Sequence, residues 1–123
     1  MKRLESQEDY LEKILQLSQV KENVHAVDIA KAMKFSKPSV SVAMGKLKEE
    51  GYIKISEKGA ISLTDSGLKI AEKTLEKHTI LTKMLQFLGV DEKTALEDAC
   101  RMEHDISDKT WKHIKKHYEM MRK

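Results

Sequence analysis

The amino-acid sequence predicts a mainly α-helical protein, in which an N-terminal winged helix-turn-helix of three helices and a two-stranded wing precedes a second helical domain. Two observations support this fold class. Apolar residues recur at helical spacing in six segments, whereas short strand-like segments occur only around the turn Glu57-Lys58-Gly59. Three helices followed by one hairpin is the element order of a winged helix-turn-helix. We place the first domain at residues 1–72 and the second at 73–123.

The first domain contains three predicted helices. The first spans Ser6–Val20, and its leading serine is a suitable N-cap. The second is short, over Asp28–Met33. The third follows Ser36, the better candidate for its cap, and has the only proline, Pro38, in its first turn, where a missing N–H costs nothing. It ends near Gly51, a favourable residue for terminating a helix.

The wing and the second domain complete the chain. Residues 52–56 and 60–63 are the predicted strands. A long fourth helix begins at Thr64 or Asp65 and runs to about Leu88. The fifth helix spans Asp91–Asp105, and the sixth is capped by Ser107 and reaches the C-terminus.

The composition narrows the function classes. Hydrophobic residues make up 40% and charged residues 35% of the 123 residues, as in soluble globular proteins. No apolar run approaches the roughly 18 residues that span a bilayer, and no apolar segment follows the basic N-terminus as in a signal peptide. The single cysteine, Cys100, excludes an internal disulfide. We therefore expect a cytoplasmic protein with no membrane partner.

Positive charge is concentrated where a helix-turn-helix would contact DNA. Between Asp28 and Lys58 there are seven lysines and four acidic residues. The N-terminal part of the third helix would read the major groove, and lysines at its far end and in the wing would contact phosphates. The expected DNA-binding residues are Ser36, Lys37, Pro38, Ser39, Ser41, Val42, Lys46, Lys54 and Lys58. A winged helix that binds protein is the alternative, which this small, polar and basic face disfavours.

Three segments carry side chains that could bind a metal ion. Asp9 and Glu12 are three residues apart on the first helix and share a face. His78 lies in the fourth helix. On the fifth helix, three residues share a face at spacings of three and four: Cys100, Glu103 and His104. Each residue alone has an ordinary structural explanation, and their grouping is what indicates a metal site.

Two further histidines lie on the sixth helix. His113 and His117 are four residues apart, but Lys112, Lys115 and Lys116 flank them. Because these positive charges oppose a cation, we interpret the pair as part of a solvated face.

The acidic segment around Asp9 and Glu12, the pair Lys77-His78, and the segment Asp98–His104 resemble the diphtheria-toxin-repressor family of iron- and manganese-dependent repressors. These motifs occur in the same order over nearly the whole chain. The resemblance implies a metal-activated homodimer that binds operator DNA and represses metal-uptake genes. It is to the short manganese-type members, which lack the SH3-like domain of the iron-type members.

The resemblance is mixed at the ligand positions. Asp9, Glu12 and His78 match manganese-type ligands, Glu103 and His104 match both types, and Cys100 matches the iron type. The positions of the iron-type ancillary site are Thr82 and Leu96 here, so that site is not carried over. Carboxylates favour Mn(II), whereas a thiolate favours Fe(II), Co(II) or Zn(II). We expect Mn(II) or Fe(II) as the cofactor, with Zn(II), Co(II) or Ni(II) binding possible in vitro.

Two other functions remain open from the sequence. One is a winged-helix regulator that responds to an organic ligand or to thiol oxidation. The other is a small non-haem iron enzyme, since two histidines and one carboxylate can form a facial triad. No nucleophile–base pair or Gly-rich loop supports catalysis, so we expect a regulator and not an enzyme.

Overall fold

The computed structural model describes the backbone of residues 2–122 and the side chains of residues 7–122. Within this range the chain forms six helices and one two-stranded sheet, which confirms the predicted fold class. Residues up to Lys73 form one compact unit, and residues from Thr74 onward form another. The elements are α1 (Lys2–Ser18), α2 (Ala26–Met33), α3 (Lys37–Glu49), β1 (Ile53–Ile55), β2 (Ile61–Leu63), α4 (Asp65–Phe87), α5 (Glu92–Asp105) and α6 (Asp108–Met121).

The first helix differs from the prediction at both ends. It begins at Lys2, so Ser6 lies inside the helix and its predicted role as a cap is wrong. Charged and straight-chain residues at its start are good helix formers, which explains the extension. The helix ends at Ser18. Val20 lies in the turn that follows, and its N–H donates to the carbonyl of Leu17 at 3.1 Å.

The second helix begins at Ala26, two residues before the predicted start. The carboxylate of Asp28 accepts a hydrogen bond from the backbone N–H of His25 at 2.9 Å. An acid three residues into a helix makes this reciprocal contact with the cap position. The prediction treated Asp28 as a helix start, whereas it occupies the third helical position.

The third helix confirms its predicted signals. Ser36 is the N-cap, and its hydroxyl accepts a hydrogen bond from the N–H of Ser39 at 3.3 Å. Pro38 occupies the first turn. Gly51 follows the C-terminus with a φ of 84°, a left-handed conformation that favours glycine.

The wing is an antiparallel pair in which Ile53 faces Leu63 and Ile55 faces Ile61. The strands are shorter than predicted, by one residue at each end of β1 and by one at the start of β2. A further hydrogen bond joins the wing to the segment between α1 and α2: the N–H of Ile61 donates to the carbonyl of Val24 at 2.7 Å.

An apolar core fills the first unit. Gly67, in the first turn of α4, lies so close to the wing that a Cβ there would overlap the carbonyl of Tyr52. Glycine at this position therefore allows α4 to pack directly behind β1. The buried core residues come from every element of the unit: Tyr10, Leu11, Ile14, Val24, Ile29, Ala30, Val40, Met44, Leu47, Ile53, Ile61 and Ala71.

The second unit has a smaller apolar cluster. The side chains of Ile80, Trp111 and Tyr118 are buried, with Met84, Ile106 and Ile114 packed against them. Asp91 and Ser107 cap α5 and α6 through the N–H groups of Thr94 and Thr110, which confirms the predicted Ser107 cap. Three large apolar residues of this unit are exposed: Phe87, Leu88 and Met120. Over the described residues, no helix is long and apolar enough to cross a membrane.

Candidate metal centre and DNA-reading face

The DNA-reading face predicted from the sequence is exposed on α3. All nine predicted contact residues are solvent-exposed, and Val42 has 63% of its surface accessible. The opposite side of α3 is buried through Val40, Met44 and Leu47. The helix therefore divides into a core face and a polar, basic outer face, an arrangement that can enter a major groove.

The hydroxyl groups on this face are not equivalent. Ser36 accepts from the backbone N–H of Ser39, and its hydroxyl donates to the Ser39 hydroxyl at 2.9 Å. These two serines are thus engaged in capping α3. Ser41, one turn further along, is exposed. Lys46 at the far end of α3, and Lys54 and Lys58 in the wing, are also exposed and can reach phosphates.

The centre of the candidate metal site is the carboxylate of Glu103 on α5. Its side chain has no solvent exposure. The Nδ1 atom of His78, from α4, lies 3.4 Å from one carboxylate oxygen. The Nε2 atom of His104 lies 3.4 Å from the other. The second unit therefore brings three of the predicted ligands together.

The local structure explains how these side chains are positioned. Glu103 and His104 are consecutive on α5, and they follow Ala95 and Ala99, whose small side chains are fully buried. On α4, the buried hydroxyl of Thr82 donates to the backbone carbonyl of His78 at 2.7 Å. From the sequence, Thr82 was recognised only as a replaced ligand position. Its spacing of four residues after His78 was the signal for this helical hydrogen bond.

The cluster has the chemistry that a bound cation requires. Neither oxygen of the Glu103 carboxylate has a hydrogen-bond partner within the described part of the chain. A buried carboxylate without hydrogen bonds is costly, and buried charges are normally paired or coordinate metals. With two imidazoles at its sides, this carboxylate offers a mixed nitrogen and oxygen donor set suited to a divalent transition metal.

The remaining predicted ligands lie on two helices. Cys100 is exposed on α5, and its sulfur lies within 4.8 Å of a Glu103 oxygen. In the first unit, Asp9 is half-buried on α1, and Glu12 is buried with 8% exposure. Asp9 and Glu12 are thus one turn apart on α1, in the unit that carries α3.

Comparison with known families matches both parts of the chain. Residues 3–61 match the iron dependent repressor N-terminal DNA binding domain. Residues 64–123 match the iron dependent repressor metal binding and dimerisation domain. Together these two matches cover nearly the whole sequence.

Individual relatives agree with this assignment. An HTH-type transcriptional regulator of Methanocaldococcus jannaschii is 38% identical over 115 residues, covering 90% of each chain. The HTH-type transcriptional regulator MntR of Bacillus subtilis is 32% identical over 102 residues, covering 83% of this chain and 72% of its own.

Solved structures show the same fold. The manganese regulator SloR superposes with a TM-score of 0.80 at 28% identity, over 92% of this chain. A manganese-dependent transcriptional repressor in complex with manganese gives 0.83 at 26% identity, again over 92% of this chain. The chain spans about half the length of these two structures, at 53% and 52%.

Proposed function

The chain belongs to the iron-dependent repressor family, and we propose that it is a transcriptional repressor that binds operator DNA as a homodimer when Mn(II) or Fe(II) is bound. The family consists of DNA-binding repressors and not of enzymes, so the non-haem iron enzyme considered from the sequence is set aside. The genes under control are proposed to be those of metal uptake, and the protein is proposed to act in the cytoplasm.

The observation that carries the proposal is the buried Glu103 carboxylate between His78 and His104. We assign these three residues as ligands, with Cys100 as a fourth donor on the same helix face. Asp9 and Glu12 complete the proposed set, and their support is the sequence pattern and their position on α1. A bound metal ion would place positive charge beside this buried carboxylate.

The proposed ligands are compatible with both Mn(II) and Fe(II). Carboxylates favour the hard ion Mn(II), and two structural neighbours are described as manganese-dependent or as a manganese regulator. A cysteine thiolate favours Fe(II) over Mn(II). Another neighbour was crystallised with Zn(II), so binding in vitro does not identify the physiological ion.

The proposed coupling is thermodynamic. Asp9 and Glu12 are in the unit that carries α3, whereas the other four ligands are in the second unit. If the metal ion binds the DNA-competent form of the chain more tightly, metal binding and DNA binding favour each other. Such linkage is reciprocal, so operator DNA would raise metal affinity by the same factor as metal raises DNA affinity.

The test is anaerobic binding to the promoter region of the protein's own gene, with chelator, Mn(II) or Fe(II). We expect binding to require metal and to be lost in the double variant Glu103→Ala/His104→Ala. Glu97→Ala, which removes an exposed acid from the same helix, is the matched control and should bind like the unmodified protein. Equal binding with and without metal would contradict the sensor mechanism.

A further inference from the structure

The outer face of α6 carries three potential ligands that the site at Glu103 does not use. His113 and His117 are four residues apart, and Met120 follows three residues later. Residues three and four apart on a helix are neighbours on one face. The two imidazoles and the thioether therefore form a continuous stripe along the last two turns of the helix.

The packing of α6 directs this stripe outward. Trp111 and Tyr118 are buried in the core of the second unit, with 5% and 7% exposure. At about 100° per residue, His113 and Met120 lie on the side opposite this pair. Both histidines are exposed, and Met120 has 65% of its surface accessible. None of the three belongs to the apolar cluster of the second unit.

The donor atoms define the class of ion. Neutral imidazole nitrogens bind copper, zinc and nickel, and a thioether selects soft ions such as Cu(I). The stripe contains no carboxylate, which is the donor that Mn(II) prefers. The stripe therefore favours softer ions than the buried site around Glu103, which contains a carboxylate.

The charges around the stripe further restrict the ion. Lys115, one of the three lysines that the sequence places near the histidines, pairs with Glu76 of α4 at 3.2 Å. That pair holds its ammonium group on another side of α6. Lys112 and Lys116 are exposed beside the stripe. Their repulsion is about half as large for a monovalent as for a divalent cation at the same distance.

We propose that His113, His117 and Met120 form a second metal site on α6, separate from the site of the repressor mechanism and suited to Cu(I). This replaces the interpretation of the two histidines as a solvated face. The inference does not depend on the proposed repressor function, because it uses none of the same residues.

The experiment follows Cu(I) binding to the full chain under anaerobic conditions. A Cys100→Ser background removes the thiol, which is itself a strong Cu(I) ligand. Competition with a chromophoric Cu(I) chelator gives the affinity and the number of ions bound. The methyl resonance of Met120, assigned through Met120→Leu, reports whether the ion reaches this site.

We expect His113→Ala/His117→Ala to lose one bound Cu(I) and the Met120 methyl shift. Met120→Leu should retain binding but weaken it about tenfold. The control is His25→Ala, which removes an exposed imidazole from the other unit and should change neither readout. Unchanged stoichiometry in the double histidine variant, or a Met120 resonance insensitive to Cu(I), would overturn the proposal.

A charge test separates the selective site from general metal binding by imidazoles. In Lys112→Ala/Lys116→Ala, affinity for both Cu(I) and Ni(II) should rise, and that for Ni(II) should rise more. Equal increases for both ions would contradict the argument that the lysines select a monovalent cation. The double histidine variant should keep metal-dependent operator binding, and a loss of that binding would contradict the separation of the two sites.

Discussion

The two units of the chain have apolar cores of different size, and each also buries one glutamate, Glu12 in the first and Glu103 in the second. Twelve apolar residues form the core of the DNA-binding unit. The second unit centres its apolar cluster on Ile80, Trp111 and Tyr118. Its other buried positions include Thr74, Thr82 and the charged Glu103, the last of these with only 2% exposure.

This difference indicates two sources of stability. Burial of apolar surface stabilises the first unit whether or not a ligand is present. In the second unit, the carboxyl group of Glu103 occupies the place of a core side chain. Burial of such a group opposes folding unless a cation compensates for it. We therefore expect metal to change the stability of the second unit much more than that of the first.

The largest expected effect is in the first core. Leu11 is fully buried on α1, and truncation in Leu11→Ala should lower the free energy of unfolding by about 2–5 kcal/mol. The loss should be the same with and without metal, because the cavity lies in an apolar core. Urea unfolding monitored by circular dichroism measures it.

Val42→Ala is the matched control, since it removes exposed apolar surface from the same unit. It should change the unfolding free energy by no more than about 0.5 kcal/mol. If metal restored the stability of Leu11→Ala to that of the unmodified chain, the independence of the first core from metal would be disproved.

The next largest effect is expected in the second unit, on the stability that metal binding adds. Glu103→Gln replaces the buried carboxylate by a neutral group of similar shape. Metal at about 100 times its dissociation constant should stabilise the unmodified protein by about 2.7 kcal/mol, and this gain should disappear in the variant. Thermal unfolding with and without metal measures the difference.

Without metal, Glu103→Gln should be at least as stable as the unmodified protein, because a neutral amide costs less to bury than a carboxylate. Glu97→Gln, on the exposed side of the same helix, should leave the metal-dependent gain intact. A metal-free Glu103→Gln protein that is clearly less stable would show that the carboxylate is already compensated by its histidine neighbours.

The two units also differ in how far the sequence predicted them. Local signals such as the Ser36 and Ser107 caps and the left-handed Gly51 were read correctly, because each depends on a few adjacent residues. The predicted starts of α1 and α2 were wrong, since Ser6 lies inside α1 and Asp28 is the third residue of α2. A polar residue near a helix start satisfies more than one capping pattern, and only the backbone decides between them.

The side-chain cluster around Glu103 was predictable as a set of residues and not as an arrangement. Helical spacing placed Glu103 beside His104, but the burial of Glu103 and the approach of His78 depend on how α4 and α5 pack. On the exposed stripe of α6, the structure likewise adds what the spacing of residues does not show. The sequence places three lysines near the histidines, whereas in the structure one of them, Lys115, pairs with Glu76 of α4.

A smaller effect is expected at the start of α2, where Asp28 accepts a hydrogen bond from the N–H of His25. Asp28→Ala should cost about 1 kcal/mol near neutral pH through loss of this contact. The backbone hydrogen bond from His25, aided by Lys21, holds the pKa of Asp28 below its ordinary value of 3.8.

A carboxyl whose pKa is lower in the folded state stabilises the fold fully above its unfolded pKa, and that contribution is lost as the pH falls through the folded pKa. The difference between the unmodified protein and Asp28→Ala should therefore narrow below pH 3.8. Unfolding free energies measured across that range give the comparison. A difference that stayed constant down to the acid limit would rule out the ionised carboxylate as the source of the stabilisation.

The smallest expected effect is a gain in stability within the DNA-binding unit. Gly45 is exposed on α3, and apart from the nearby backbone of its own helix nothing lies within 4 Å of where its Cβ would be. Gly45→Ala should therefore stabilise the protein by up to about 1 kcal/mol, because alanine loses less backbone freedom on forming a helix. The same substitution at Gly67 should destabilise strongly, since the added Cβ would overlap the carbonyl of Tyr52. Opposite shifts in the unfolding midpoint would show that this unit is tightly packed at Gly67 and open at Gly45. A loss of stability in Gly45→Ala would instead show that the added methyl group meets another part of the chain.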